Sequence, residues 1–225
     1  MDSIGDRRTF KKGLDHLTQS DPKLAKLIET HGVISFKPEG EMFQSLVESI
    51  LTQQLAWAAA SAIIERVKAL FPGGVIEPPR LYSTPISKLR KAGVSPQKIR
   101  YLKDLSRRVA KGKLDLESLK FREDRVLLEA LDEVLGIGPW TIHMLLIFTL
   151  GRADVLPVDD LGIRKAIQNI YSLPEMPTRD ETEDLAKNWH PYCSIASLYL
   201  WRHKDTEKKV EEKLNISGKK GRKSD

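Results

Sequence analysis

The chain has 225 residues, of which 40% are hydrophobic and 30% charged, and this composition excludes a disordered, collagen-like or low-complexity protein. Lysine and arginine exceed aspartate and glutamate by 37 − 31 = +6, which favours binding to polyanions, most commonly nucleic acid. There is no apolar run of the ~18 residues that a membrane span needs and no signal-peptide pattern at the start, so we expect a soluble intracellular protein that does not enter a membrane.

Apolar residues recur at helical spacing along most of the chain, and no segment alternates for long enough to predict a sheet. The sequence therefore predicts a mainly α-helical fold of about ten helices, formed by residues 1–214, with a basic, flexible tail over residues 215–225. In chain order, the predicted helices begin after Asp21-Pro22 and end at Gly32, span Glu41 to Thr52 and Ala56 to Leu70, begin at Ser83-Thr84-Pro85 and at Ser95-Pro96, and span Arg122 to Leu135.

A seven-residue segment, Leu135-Gly136-Ile137-Gly138-Pro139-Trp140-Thr141, joins two strongly apolar helical segments. Glycine permits positive φ and leaves the backbone uncovered, so amide groups at the start of the second helix can reach a phosphate. Such a contact positions DNA without reading its sequence. We expect a DNA-binding hairpin here, with Gly136, Ile137, Gly138, Trp140 and Thr141 as its contacts; a simple Gly-Pro turn between packed helices is the alternative.

The hairpin and two further motifs resemble the 3-methyladenine branch of the helix-hairpin-helix DNA glycosylase superfamily. These motifs are Gln53-Gln54-Leu55 before the hairpin and Pro157-Val158-Asp159-Asp160 after it, and the resemblance extends from about Glu39 to Arg202. It implies a two-lobed helical fold with a cleft between the lobes. It also implies a monomer that acts on duplex DNA containing alkylated bases or abasic sites.

The aspartate pair is the candidate catalytic site. Breaking an N-glycosidic bond builds positive charge on the sugar, so a fixed carboxylate beside C1′ stabilises the transition state and can orient or deprotonate water. The resemblance assigns this role to Asp160, which is followed by Arg164 four positions later, and leaves Asp159 as a helix cap, a support or the alternative catalytic residue. Two aspartates that only cap a helix are the structural alternative.

The loop Gln53-Gln54-Leu55 is the candidate wedge. An enzyme that extracts a base from the stack must fill the gap, and an apolar side chain flanked by amides that bind bases in the minor groove suits this task. The resemblance places the family's intercalating residue at Leu55. A leucine that packs in a helical corner, beside solvated glutamines, is the alternative.

An alkylated purine is electron-poor or cationic, so aromatic faces bind it better than they bind its neutral parent. We expect the base pocket to include Trp140, Met144, Tyr192 and Trp57, each of which could instead pack in the core. Two further tryptophans, Trp189 and Trp201, are assigned to the core.

No cofactor is expected. The only cysteine, Cys193, is expected to be a small buried apolar side chain, and the five histidines show no metal-ligand spacing. The four-cysteine iron-sulfur loop of some relatives is absent. The resemblance allows a structural monovalent cation at the hairpin, held by backbone carbonyls.

The resemblance implies a monofunctional glycosylase, because relatives that also cut the backbone carry a Schiff-base lysine where this chain has Trp140. The expected activity is hydrolysis of the N-glycosidic bond of flipped-out alkylated purines, as the first step of base excision repair. The main expected substrate is 3-methyladenine, with 7-methylguanine or ethenoadenine as further candidates.

A non-catalytic damage or abasic-site binding protein on the same fold is the main alternative, and a helical protein-interaction module is another. The expected compartment is the nucleus in a eukaryote and the cytoplasm in a bacterium.

Overall fold

Caps and prolines start several helices where the sequence predicts them. Asp21 Oδ1 accepts hydrogen bonds from the amides of Lys23 and Leu24, and the helix that it caps ends at His31. The hydroxyl of Ser95 accepts a hydrogen bond from the amide of Lys98 in the same way. In both cases a proline occupies the first helical position, where a missing amide hydrogen costs nothing.

The structure is a computed structural model that describes residues 3–220, with side chains described for residues 3–206. Within these residues it contains thirteen α-helices and no strand, which confirms the predicted mainly α-helical class. None of these helices is both long and apolar enough to cross a membrane. In chain order the helices are α1 (Arg7–Ser20), α2 (Pro22–His31), α3 (Met42–Thr52), α4 (Trp57–Lys68), α5 (Pro78–Ser83), α6 (Ile86–Lys91), α7 (Pro96–Ala110), α8 (Leu116–Leu119), α9 (Asp124–Asp132), α10 (Pro139–Met144), α11 (Leu161–Tyr171), α12 (Arg179–Leu185) and α13 (Cys193–Lys220).

Short helices account for the difference from the predicted number. A helix does begin after Ser83-Thr84-Pro85, at Ile86. The hydroxyls of Ser83 and Thr84 do not cap it, because they donate to the carbonyl of Arg80 at the end of α5. The last helix, α13, continues to Lys220 and so includes the first six residues of the predicted tail. Residues 221–225 of that tail lie outside the described residues.

The chain forms two compact units. The terminal unit contains the residues up to Pro38 together with those from Gly151 onward, and the central unit contains Glu39–Leu150. The terminal unit therefore takes its helices α1, α2 and α11 to α13 from both ends of the chain, whereas the central unit is continuous in sequence.

In the terminal unit, a buried carboxylate joins three elements. Besides capping α2, Asp21 accepts hydrogen bonds through Oδ2 from the indole of Trp189 at 2.8 Å and from the hydroxyl of Tyr171. Both oxygens of this buried carboxylate are thus satisfied, as the burial of a charged group requires. Trp189 is fully buried, which confirms its assignment to the core.

In the central unit, α3 and α7 provide much of the apolar core. Their fully buried side chains share the inner face of each helix, and Leu127 and Leu131 of α9 are buried as well. After α10 the helix continues into a π-helical turn, Leu145–Thr149, whose first three residues are buried. The buried residues of α3 and α7 include Leu46, Val47, Ile50, Leu51, Leu102 and Leu105.

Candidate active site and nucleic-acid interface

Asp160 lies at the N-cap of α11 in the terminal unit, half-buried. Its Oδ1 accepts a hydrogen bond from the amide of Ile163 at 2.8 Å and another from the indole nitrogen of Trp201 at 3.0 Å. A helix N-terminus also favours negative charge. The carboxylate is therefore held in one orientation by two donors from different elements.

Two residues that the sequence analysis did not place at the site constrain this carboxylate. Trp201 was assigned to the core, but it is only half-buried and donates a hydrogen bond to Asp160, so the assignment was wrong. Gly162 leaves room for the carboxylate, because a Cβ built on it would lie 2.8 Å from Asp160 Oδ1. Neither residue has a local sequence signal: Trp201 reaches Asp160 from 41 positions away.

Asp159 has a different environment. It pairs with Arg179, whose Nη1 lies 3.1 Å from Asp159 Oδ1, and the cap of α11 is Asp160 rather than Asp159. Arg164 Nε donates to the carbonyl of Pro177 at 2.7 Å and so fixes the loop before α12. Of the two aspartates, only Asp160 is held by both a helix amide and an indole.

The hairpin lies in the central unit, between α9 and α10. Gly136 has φ +80°, a backbone conformation that favours glycine. A Cβ at this position would also lie 2.1 Å from the ring of Tyr101, so there are two independent reasons for glycine here. Gly138 has no atom within 4 Å of the position of a Cβ, which leaves its backbone open. Within the described chain, the turn uses the amides of Leu135 and Ile137 in hydrogen bonds but not those of Gly136 and Gly138.

Not every predicted hairpin contact is exposed. Ile137 and Thr141 are 4% exposed each, so any contact they make with a phosphate must come from the backbone. Their side chains instead hold the hairpin against the core of the central unit. Trp140, at 44% exposure, presents part of its ring to solvent.

Helix α7 contacts the hairpin through Asp104. Asp104 Oδ2 accepts the amide of Leu135 at 3.2 Å, and the same carboxylate pairs with Arg107 and Arg108. Burial acts to raise the pKa of Asp104, but the hydrogen bonds from Arg107, Leu135 and Arg108 outweigh it and hold this pKa below its ordinary value. Asp104 therefore stays charged beside the turn.

The candidate wedge loop is joined to the hairpin. Gln53 Nε2 donates to the carbonyl of Gly136 at 2.7 Å, and Lys98 of α7 donates to the carbonyl of Leu51 at the end of α3. Beyond Gln53, Gln54 has φ +56° and is exposed, and Leu55 is 41% exposed. The loop thus projects Gln54 and Leu55 into solvent, while Gln53 fixes the loop to the hairpin.

The four predicted pocket residues lie in both units. In the central unit, Trp57 is 76% exposed at the start of α4, and Met144 lines a cavity of about 260 Å³ together with residues such as Glu48, Thr52 and Phe148. In the terminal unit, the half-buried ring of Tyr192 packs against His16 of α1, with their ring centroids 5.4 Å apart.

The chain also brings together three side chains that the sequence analysis left separate. Asp154, His190 and Cys193 lie within 4.8 Å of one another in the terminal unit. Cys193 is fully buried, as expected, and burial together with the nearby Asp154 carboxylate raises the pKa of its thiol. His190 Nδ1 lies 2.8 Å from Asp154 Oδ2.

Several known proteins are similar to this chain over most of its length. A DNA-3-methyladenine glycosidase from Bacillus halodurans is 35% identical and superposes with a TM-score of 0.81 over 95% of this chain and 98% of its own. The 3-methyladenine DNA glycosylase Mag1 of Schizosaccharomyces pombe, solved in complex with abasic DNA, is 31% identical, with a TM-score of 0.76 over 85% of this chain and 95% of its own. A second protein of that yeast, the alkylbase DNA glycosidase-like protein mag2, is 28% identical over 86% of this chain and 93% of its own.

The family model for HhH-GPD superfamily base excision DNA repair proteins matches residues 47–191. This range contains the wedge loop, the hairpin and both aspartates. The chain belongs to the HhH-GPD superfamily of base excision DNA repair proteins.

Proposed function

We propose that this protein is a monofunctional DNA glycosylase that hydrolyses the N-glycosidic bond of alkylated purines in duplex DNA, with 3-methyladenine as its main substrate. The observation that carries the proposal is the carboxylate of Asp160, oriented by Trp201 and Ile163 in a chain of this superfamily. Relatives that share about a third of its sequence are named for the same activity.

The carboxylate would act on a sugar that becomes cationic as the base departs. A preorganised charge needs no reorientation when positive charge develops, which is why fixed carboxylates stabilise such transition states effectively. In this proposal Asp160 stabilises C1′ and orients the water that attacks it, and the glycosidic electron pair leaves with the alkylated base. A free base and an abasic site are the products.

The central unit would bind the DNA backbone and fill the gap that a flipped nucleotide leaves in the duplex. The uncovered backbone at Gly138 suits a phosphate oxygen at the start of α10, and this contact does not depend on base sequence. The exposed Leu55 suits the gap left by the flipped nucleotide, with Gln54 beside it to contact bases in the minor groove.

Exposed aromatic surface supports a preference for alkylated purines. Trp57 and Trp140 offer ring faces that attract a cationic or electron-poor base more strongly than an unmodified one. Tyr192 is the third aromatic assigned to base recognition, and Met144 adds a polarisable side chain with no ring. 7-Methylguanine and ethenoadenine are further candidate substrates.

The absence of a lysine at position 140 supports hydrolysis without strand cleavage. Burial lowers the pKa of two lysines of the central unit, Lys98 and Lys103, but backbone carbonyls engage both amines. Borohydride added during turnover should therefore trap no covalent protein–DNA adduct. A trapped adduct that disappears in Lys98→Arg would contradict monofunctional action and identify the amine.

The deciding experiment measures free purines released from methylated duplex DNA, comparing the native protein with Asp160→Asn and the matched control Asp159→Asn. We expect the rate to fall by a factor of about 100 to 1,000 or more in Asp160→Asn and far less in Asp159→Asn, whose partner is Arg179. Equal circular dichroism spectra and abasic-DNA affinities for the three proteins would show that folding and binding are unchanged. No release by the native protein, with abasic-DNA binding retained, would favour a non-catalytic damage-binding protein instead.

A further inference from the structure

A cluster outside the residues assigned to catalysis contains three metal-ligating side chains. Asp154 and His190 are exposed, and Cys193 is buried beneath them. His190 Nδ1 lies 2.8 Å from Asp154 Oδ2 and 3.5 Å from Cys193 Sγ. All three potential ligand atoms lie within 4.8 Å of one another.

The geometry excludes a nucleophilic triad. In a cysteine–histidine–aspartate triad, the carboxylate and the sulfur bond to opposite nitrogens of the imidazole ring. Here both approach the same nitrogen, Nδ1. Three ligand atoms that converge on one point form the arrangement that a bound cation requires.

The distances and atom types fit a borderline-soft divalent cation. Ligands of a tetrahedral zinc ion, at about 2.0 to 2.3 Å from the metal, lie roughly 3.3 to 3.7 Å from each other. The Nδ1–Sγ distance already meets this value, and the Nδ1–Oδ2 distance must open by about 0.5 Å, which the exposed side chains of Asp154 and His190 can provide. Sulfur, imidazole nitrogen and carboxylate oxygen together favour zinc over magnesium or calcium.

The cluster lies where two segments of the terminal unit already meet. The amide of Ser194 donates to the carbonyl of Ala153, and the amide of Val155 donates to the hydroxyl of Ser194. A cation held by Asp154, His190 and Cys193 would therefore connect the loop that leads to Asp160 with the first turn of α13, the helix that carries Trp201.

We propose that Asp154, His190 and Cys193 form a structural zinc site, with water as the fourth ligand, that links the loop leading to Asp160 to the start of α13. On binding, the thiol loses its proton to solvent and coordinates as the thiolate, while the neutral imidazole coordinates through Nδ1 and keeps its single proton on Nε2. The site is independent of the proposed glycosylase chemistry, because none of its ligands is assigned to base release.

Cobalt(II) titration of the tag-free, full-length protein tests the proposal directly. A sulfur-to-cobalt charge-transfer band in the near ultraviolet requires thiolate coordination, and Cys193 is the only cysteine in the chain. We expect this band to saturate at one cobalt per chain, to be displaced by zinc, and to vanish in Cys193→Ala. We also expect His190→Gln and Asp154→Asn to weaken zinc binding more than tenfold, since even changes beyond the ligands cost about 10- to 100-fold.

A matched control is the pair His31 and His203, whose rings lie 5.9 Å apart and could bind a cation without sulfur. The variant His31→Gln should retain the charge-transfer band and its displacement by zinc. No charge-transfer band at saturating cobalt would overturn the proposal. A band that survives in both His190→Gln and Asp154→Asn would also overturn it, because it would show adventitious binding to the thiol alone.

Discussion

The indole nitrogen of Trp201 donates a hydrogen bond to Asp160 Oδ1 at 3.0 Å, across 41 residues of sequence. Trp201 lies about two turns into α13, whereas Asp160 begins α11. The two helices pack against each other in the terminal unit. The position of the candidate catalytic carboxylate therefore depends on the packing of the last helix as well as on its own cap.

Trp201→Phe should lower the single-turnover rate of base release by about tenfold or more while leaving the affinity for DNA unchanged. The substitution keeps an aromatic ring, although a smaller one, but removes the donor, and a hydrogen bond to a charged group contributes about 1.5 to 3 kcal/mol. Rates should be measured in both the native and the Asp160→Asn background. A positioning role predicts no further loss in the second background. Equal losses in both would mean that Trp201 acts on stability alone.

The two glycines of the hairpin should respond differently to alanine. Gly138→Ala should change the free energy of unfolding by less than about 0.5 kcal/mol yet weaken DNA binding, because its Cβ meets open space but covers the backbone that faces a phosphate. Gly136→Ala should cost about 2 kcal/mol or more, because it combines a positive φ with a clash against Tyr101. Urea unfolding and fluorescence anisotropy with labelled duplex measure the two effects. Unchanged DNA affinity in Gly138→Ala would count against a phosphate contact there.

Substitutions at two residues of the wedge loop should have different effects, one on base flipping and the other on stability. Leu55→Ala should leave the melting temperature nearly unchanged, because the side chain is already 41% exposed, but should reduce base release and the fluorescence change of 2-aminopurine beside the lesion. Gln53→Ala should lower the free energy of unfolding by about 1 kcal/mol, because it leaves the carbonyl of Gly136 without its donor. If Leu55→Ala flips bases at the native rate, the wedge role belongs to another residue.

The contribution of Asp104 to stability should depend on pH. Its pKa is held below the ordinary value of 3.8, so the folded state binds fewer protons than the unfolded state in this range. The stabilisation is therefore fully present above the unfolded-state pKa and is lost as pH falls through the folded-state pKa. The difference in unfolding free energy between the native protein and Asp104→Asn should be largest near pH 7 and shrink below pH ~3.8. A difference that stays constant down to pH 2.5 would show that the carboxylate charge does not stabilise the hairpin.

Local chemistry explains what could be predicted from the sequence. Pro22 after Asp21, Pro96 after Ser95 and the glycines of the hairpin act within a few residues of their own positions, so the helix starts and the turn follow from local sequence. The helical class follows from apolar spacing in the same way.

Contacts between distant segments could not be predicted. Nothing near Trp201 distinguishes an indole that packs in the core from one that bonds to Asp160, and the convergence of Asp154 on His190 depends on how a loop meets a helix. Even Asp104, whose spacing to Arg107 and Arg108 suggests ordinary helix pairs, contacts the hairpin only through tertiary packing. Such contacts depend on the assembled fold rather than on local propensity.

The hydrogen bond from Gln53 to the carbonyl of Gly136 limits how this protein can be redesigned or can diverge. A change at position 53 removes support from the hairpin as well as altering the wedge loop, so we expect substitutions there to require compensation on the other side of the bond. Gln54 and Leu55 carry no such constraint. Variants selected for new lesions should therefore differ at these two positions first and retain a side-chain donor at position 53.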